Sequence, residues 1–302
     1  MRIAVTGSTG FLGRYIVNDL LTAGHGVRSW FRRGSDRGGF VDGPHEWIEG
    51  ALGDDESNRA LVEGTDAVVH AALYRPGRTF RGGEGDLVEF VRANVLGTIQ
   101  LIEAARGAGV ARFVFISTCA VHEVILDDRP LDEAHPLWPR SHYGAHKAAI
   151  EKFVHAYGLR DGFEICALRP TGIYGPARPI ERSKWFDIVR TVADGRDVTA
   201  SRGGKEVHAT DVARSVRILL DAPTVAGQAY NCYDQYISEH QVAMIARRIS
   251  GSGSTISGTT PQPKHQIETA KLRALGMTFG GQKLLEQTVT ALLERVDGTK
   301  DK

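Results

Sequence analysis

Met1-Arg-Ile-Ala-Val-Thr-Gly-Ser-Thr-Gly-Phe-Leu-Gly13 decides the fold. Ile3, Ala4 and Val5 form a short apolar run, the pattern of a strand buried on both faces. Glycines follow at Gly7, Gly10 and Gly13, and Tyr15, Ile16, Leu20 and Leu21 continue at helical spacing. Gly7 permits a sharp strand-to-helix turn where a side chain would clash. Gly10 lets backbone approach a pyrophosphate, to which the helix start offers free N–H groups and the positive end of its dipole. Gly13 lets the helix pack close to the sheet. The spacing G-x-x-G-x-x-G, set between a strand and a helix, reads as a dinucleotide site.

The 302 residues leave room for one large or two modest domains, and 42% apolar with 24% charged residues is ordinary for a globular chain. A net charge of +1 argues against nucleic acid or an anionic membrane as partner. No apolar run nears the roughly 18 residues of a spanning helix, and the chain enters a strand at once, with no leader pattern. Cys119, Cys166 and Cys232 are odd in number and lie in apolar surroundings, which suits reduced thiols in the cytoplasm.

Further strands are expected at Val27–Phe31, Trp47–Ile48, Ala67–Ala72, Arg112–Ser117 and Ile165–Arg169. Helices are expected running through Val62, with Asp54 and Asp55 as candidate caps, at Leu87–Arg106 and at Tyr143–Tyr157. This alternation predicts an α/β fold, a Rossmann-type doubly wound parallel sheet over residues 1–172. Pro170, Pro176 and Pro179 then break the rhythm. Residues 173–302 read as a smaller, irregular C-terminal substrate lobe, with 208–234 returning to the first domain. Within it, helices are expected at Trp185–Val192, Asp211–Leu220, Glu239–Ile249 and Leu284–Val296, and a strand at Ala229–Cys232.

Tyr143-Gly-Ala-His-Lys147 is the second anchor. Tyrosine and lysine at i and i+4 share a helix face. A phenol of pKa about 10 is a poor base at neutral pH, and a neighbouring ammonium lowers that value. Such a tyrosine can exchange a proton with a substrate hydroxyl or carbonyl while hydride moves to or from a nicotinamide. Ser117 and Thr118 close the preceding strand.

With these motifs in order, the chain resembles an extended short-chain dehydrogenase/reductase of the NAD-dependent epimerase/dehydratase family. The resemblance rests on Thr6-Gly-Ser-Thr-Gly-Phe-Leu-Gly13, His70-Ala-Ala72, Asn94, Phe115-Ile-Ser-Thr118, Tyr143-x-x-x-Lys147, Leu168-Arg-Pro-Thr-Gly-Ile-Tyr-Gly-Pro176 and Val207-His-Ala-Thr-Asp-Val-Ala213. It implies Tyr143 as acid/base, Lys147 as its activator and a ligand of the nicotinamide ribose, and Thr118 as the hydroxyl that meets the reacting oxygen. It implies a cofactor site of Gly7, Thr9, Gly10, Phe11, Leu12, Gly13, Leu52, Ala71, Ala72, Asn94, Ser117, Pro170 and Thr171, besides Tyr143 and Lys147. Homodimers are common in the family, through the helices expected at Leu87–Arg106 and Tyr143–Tyr157.

The departures carry information. Where NAD-preferring members place an acid at the end of the second strand, this chain has Phe31 followed by Arg32 and Arg33. Guanidinium groups suit a 2′-phosphate, which favours NADP over NAD. Ala51 replaces an adenine-contacting acid, and His122-Glu123 replaces Tyr-Gly. Cys119-Ala120 stands where dehydratases carry an acidic pair, which argues against sugar dehydration. Arg75, Arg78, Arg178 and His208 are the candidates for substrate contact, with Arg81, Arg182, Lys184, Arg202 and Lys205 as further cations. Whether they converge on a diphosphate or a sugar acid, or form an ordinary solvated surface, the spacing leaves open. His142 and His146 have metal-like spacing but no third ligand, so no metal is expected.

These readings predict hydride transfer at a secondary alcohol or ketone of a carbohydrate-like substrate. A nucleotide-sugar epimerase with retained NAD and a non-catalytic NADP(H) sensor are the alternatives.

Overall fold

The computed structural model describes residues 1–77, 79, 82–260 and 262–300, with backbone alone beyond 296. Seven parallel strands form the main sheet: β1 (Arg2–Thr6), β2 (Gly26–Phe31), β3 (His45–Glu49), β4 (Ala67–His70), β5 (Arg112–Ile116), β6 (Ile165–Pro170) and β10 (Gln228–Cys232). Their order is β10-β6-β5-β4-β1-β2-β3. The order reverses between β1 and β4, so the crevice at their carboxyl ends is the switch point where α/β folds take ligands. Ile3, Ala4, Val5, Ala67, Val68 and Val69 are fully buried, as a strand covered on both faces requires.

The helices of this part are α1 (Phe11–Thr22), α2 (Asp55–Val62), α3 (Leu87–Val91), α4 (Gly97–Gly107) and α5 (His142–Asp161). Asp54 caps α2, accepting from the Glu56 N–H. Leu61, Leu101, Ile102, Ile150 and Val154 of α2, α4 and α5 pack on Ala4, Val68, Phe113 and Ile165 of the sheet. The long helix expected over residues 87–106 carries a π-helical turn, Arg92–Leu96, between α3 and α4. Asn94 stabilises that turn: its amide donates to Phe90 O at 3.0 Å, and its own carbonyl accepts the Thr98 hydroxyl at 2.5 Å.

The chain sorts into two compact units. The first comprises Met1–Pro170, Val212–Cys232 and Ile267–Met277. The last stretch, which no pattern in the sequence marks, carries α9 (Ala270–Ala274) and packs beside β10. The second unit comprises Thr171–Asp211, Tyr233–Gln266 and the chain from Thr278 on. It is more regular than its prolines suggest. β7 (Gly172–Tyr174), β9 (Gly203–His208) and β11 (Gln235–Ser238) form one sheet, and β8 (Val198–Thr199) pairs with β12 (Ile256–Ser257). Gly172, Gly203 and Gly204 hid β7 and β9, because glycine is poor in strands unless something needs the space. Here Tyr236 fills the space over Gly203, and the Glu206 carboxylate fills that over Gly172 and Gly204. The helices of this unit are α6 (Phe186–Ala193), α8 (Glu239–Ser250) and α10 (Gly281–Lys300), packed through Val189, Val242, Ala246, Leu285, Val289 and Leu292. α7 (Ala209–Asp221) links the units in sequence. Among the described residues no helix is long and apolar enough to cross a membrane.

The turn after β1 has no room for side chains. Gly7 has φ +71°, and a Cβ there would lie 2.7 Å from Ala71 O. A Cβ on Gly13 would overlap the Gly7 carbonyl. Gly13→Ala is therefore expected to destabilise by about 1–3 kcal/mol, read as a lower thermal midpoint than wild type.

Candidate active site

Gly10 is the N-cap of α1 and, lacking a side chain, leaves the first turn without a cap; that turn also holds no acid. The helix start therefore keeps donors and dipole for an anion. Ser8 turns inward instead, its hydroxyl donating to Val5 O at 2.8 Å. Together with the clash-limited Gly7 and Gly13, this is a cradle that a dinucleotide pyrophosphate fits. Thr9, Phe11 and Leu12 border it half-exposed.

Across the switch point, Thr6 Oγ1 meets His70 Nδ1 at 2.7 Å and accepts the Ala72 N–H at 3.1 Å. His70 Nε2 meets Thr98 Oγ1 at 2.9 Å. Burial, aided by the charge of Lys147, pulls His70 down to about 3, so it is neutral. Asn94, expected in the cofactor site, makes its side-chain hydrogen bonds to backbone. Its Oδ1 accepts the Tyr74 N–H at 2.8 Å, and its two amide hydrogens go to Tyr74 O and Phe90 O. Only 2% exposed, it fixes the loop after β4 at Tyr74. Leu52 is likewise half-buried against the core beside α2.

Ser117 and Thr118 leave the end of β5, and the start of α5 faces them. Ser141 caps α5, accepting the Gly144 N–H at 3.1 Å. Glu123 holds that start: its carboxylate accepts the Ser141 N–H at 2.7 Å, the Ser141 hydroxyl at 3.1 Å and the Arg140 N–H. Tyr143 is half-buried, its ring 5.4 Å from that of His146. Lys147 is 5% exposed, and its Nζ donates to Ile116 O at 2.7 Å and lies 4.5 Å over the Phe115 ring. Burial pulls the Lys147 ammonium down to about 7, against the opposing field of Glu151. Thr118 Oγ1 accepts the Ala120 N–H at 3.1 Å, which leaves its hydroxyl proton to donate elsewhere. Half-buried Cys119 donates to Arg169 O, and desolvation pushes its thiol up to about 12, away from the reactive thiolate. His146 packs edge-on against Phe90 in the interior, whereas His142 is exposed.

At the end of β2 the two arginines part. Arg33 Nε pairs with Glu49 Oε1 at 2.8 Å, both side chains exposed. Arg32 is exposed, in a turn closed by Ser35, and has no carboxylate partner among the described residues. Arg37 lies 4.6 Å over the Phe31 ring. Arg14 secures the following loop, paired with Asp36 at 3.3 Å and lying 5.1 Å over Phe40.

Pro170 ends β6, paired in register with Cys232. In the second unit, Thr171 Oγ1 is buried with no hydrogen-bond partner among the described residues. Arg178 is exposed, and Arg75 in the first unit is half-buried. Arg78 and Arg81 lie outside the described residues. His208 is 5% exposed; its Nδ1 accepts the Thr210 N–H at 3.1 Å, and its ring packs edge-on against Tyr174. Burial pulls it down to about 4. These bonds make it an anchor for the start of α7. Lys184, expected among the anion-binding cations, pairs with Glu206 at 2.5 Å.

Sequence reasoning missed Glu151, Arg169, Glu123 and His70 as parts of the site. His70 and Arg169 lay inside quoted motifs and Glu123 in a noted departure, each without a role assigned, and Glu151 continues the Tyr143, Lys147 row by one more turn.

The profile of the NAD dependent epimerase/dehydratase family matches residues 3–232. A ketoreductase of a farnesyl dihydroquinoline oxide from Stigmatella aurantiaca is 35% identical over 67% of this chain and 60% of its own. A 3β-hydroxysteroid dehydrogenase/Δ5→4-isomerase from Mycobacterium tuberculosis is 33% identical over 62% of this chain and 51% of its own. The chain thus spans about half to three-fifths of the length of these relatives. Among solved structures, the UDP-glucose 4-epimerase of Thermus thermophilus, in complex with NAD, superposes with a TM-score of 0.77 at 25% identity, covering 97% of this chain and 99% of its own. The glycine cradle, the Tyr143/Lys147 helix and the match over most of the chain agree, and the protein belongs to the NAD-dependent epimerase/dehydratase family.

Proposed function

We propose that the protein is an NAD(P)-dependent oxidoreductase that transfers hydride at a secondary alcohol or ketone. The observation that carries the reading is the meeting of α5 with the end of β5. There a half-buried Tyr143, a buried Lys147 and a Thr118 hydroxyl with a free proton stand on adjoining elements, on the sheet whose switch point holds the glycine cradle. Tyr143 exchanges the proton of the reacting oxygen, Lys147 stabilises the phenolate, and Thr118 donates to the same oxygen. A bound nicotinamide would supply the hydride acceptor or donor, held at its pyrophosphate end by Gly7–Gly13. The names of the relatives share this chemistry, since a ketoreductase, a hydroxysteroid dehydrogenase and a 4-epimerase each act at a hydroxyl or carbonyl carbon. A carbohydrate-like substrate is our reading of the family resemblance.

Arg32, exposed and without an acid beside it, supports NADP as the preferred cofactor and net redox turnover over an epimerase with retained NAD. The epimerase is the second reading, favoured by the backbone likeness to the Thermus enzyme. Absorbance of the purified protein separates the two, because retained nicotinamide points to epimerisation. We also propose a homodimer inside the cell. Val88, Val91 and Leu96 along the long helical run, and Phe153 on α5, are 41–64% exposed, a common apolar face for a second copy.

Tyr143→Phe is expected to lower turnover by about 10²–10⁴-fold while NADP(H) still binds. Turnover unchanged by the substitution would remove Tyr143 as the acid/base, and wild type that binds NADP(H) without turning over any alcohol or ketone would be a sensor. Arg32→Ala is expected to weaken NADP binding about tenfold, the worth of one charge-assisted hydrogen bond, and to leave NAD binding nearly unchanged; equal loss for both would remove the preference. The buried lysine adds two opposite pH effects. Turnover falls as pH rises through about 7, where Lys147 loses its charge. The unfolded chain holds that proton up to 10.5, so the lysine's contribution to stability rises with pH between these values. Comparing denaturation of wild type and Lys147→Met across that window checks the sign.

A further inference from the structure

Tyr143, Lys147 and Glu151 occupy positions i, i+4 and i+8 of α5, one face of the helix. Opposite them the chain runs Ile116, Ser117, Thr118. Lys147 Nζ donates to the Ile116 carbonyl, and the Ser117 hydroxyl donates to Glu151 Oε1. Glu151 is held from the neighbouring strand as well. Arg169 of β6 donates through Nε at 3.0 Å and through Nη2 at 2.6 Å to Glu151 Oε2. Both side chains of this pair are 4% exposed. The remaining nitrogen of Arg169, Nη1, reaches Glu133 O and His122 Nε2, each at 3.2 Å, while His122 Nδ1 donates to Pro136 O at 3.2 Å.

A buried ion pair of this kind does not stabilise a fold more than apolar side chains of the same volume would. Its placement beside the lysine needs another reason. The groups facing Lys147 supply it. His146 on its own helix and His70 on β4 are both held neutral, at about 3, by burial and by the lysine's own charge. Arg169 on β6 is a cation. Among the described residues, Glu151 is the anion whose field reaches Lys147.

We propose that Glu151 is a positioning residue of the site: it is the buried anion that keeps Lys147 an ammonium beside Tyr143, while Arg169 and Ser117 fix where that anion sits. Without it, burial acts on the lysine with no anion to oppose it, and the ammonium releases its proton more readily. The importance of that charge to turnover rests on the hydride-transfer reading; the charge itself does not.

The test needs neither substrate nor cofactor. Full-length protein carrying lysine labelled with ¹³C at Cε is titrated by NMR, with the Lys147 signal identified by its loss in Lys147→Met. Wild type is expected to titrate near pH 7. In Glu151→Gln the proton affinity is expected to fall at least about tenfold, one pH unit. A midpoint unchanged from wild type overturns the proposal. Should that variant not fold, Glu151→Leu/Arg169→Met removes the pair in the way buried pairs tolerate. Its midpoint is again expected below wild type, because the carboxylate's field was the one acting on the lysine, and an unchanged midpoint again overturns the proposal. A protein with a Glu151-dependent lysine but no turnover of any alcohol would refute the oxidoreductase reading alone.

Discussion

The carboxyl ends of β1 and β4 are joined by hydroxyl groups that never reach solvent, and much of the first unit hangs on that joint. Thr6 serves two partners at once, the His70 ring and the Ala72 N–H. His70 passes the connection to Thr98, and Thr98 passes it to the Asn94 carbonyl in the π-helical turn. Asn94 returns it to the loop at Tyr74. Every donor in this chain is answered, as a polar interior demands. The result is a crevice floor whose backbone is fixed by side chains from β1, β4 and the long helical run. Gly7 can approach Ala71 closely because both ends of that approach are tied.

The second joint lies between β5 and α5, and it differs in kind because it is charged. Glu151 and Arg169 are buried ions bonded to each other, Ser117 donates to Glu151, and Lys147, one turn earlier on α5, is bonded to Ile116 O. Glu123 performs the matching task at the exposed end of α5, holding the N-terminus that presents Tyr143. The acid/base candidate is thus supported below by an ion network and above by a carboxylate on backbone N–H groups. The first fixes charge and the second fixes angle.

Much of this was legible in the sequence, for physical reasons. A parallel strand buried on both faces must be apolar throughout, so Ile3–Val5 and Ala67–Val69 announce themselves. A turn without space for side chains must be glycine, so Gly7 and Gly13 do the same. What stayed hidden is of two sorts. The strands β7 and β9 were masked by glycines that make room for Glu206 and Tyr236, which for Gly172 and Gly203 are partners distant in sequence. The ion network was hidden because burial is invisible locally: Glu151 in a helix and Arg169 in a strand read as ordinary charged residues until the sheet brings them together. The Arg33–Glu49 pair was hidden for a similar reason, since Glu49 lies on the adjacent strand, in register with Phe31.

The π-helical turn at Arg92–Leu96 has a bearing on how this helix can vary. Successive residues of a helix are turned by about 100°. One residue deleted there would restore an unbroken α-helix and swing every later side chain by that angle. Leu101 and Ile102, now sealed against the sheet, would rotate toward water, or else Asn94 would leave Tyr74. The bulge thus locks length to function: insertions and deletions must spare this helix and accumulate in the loops on either side of it.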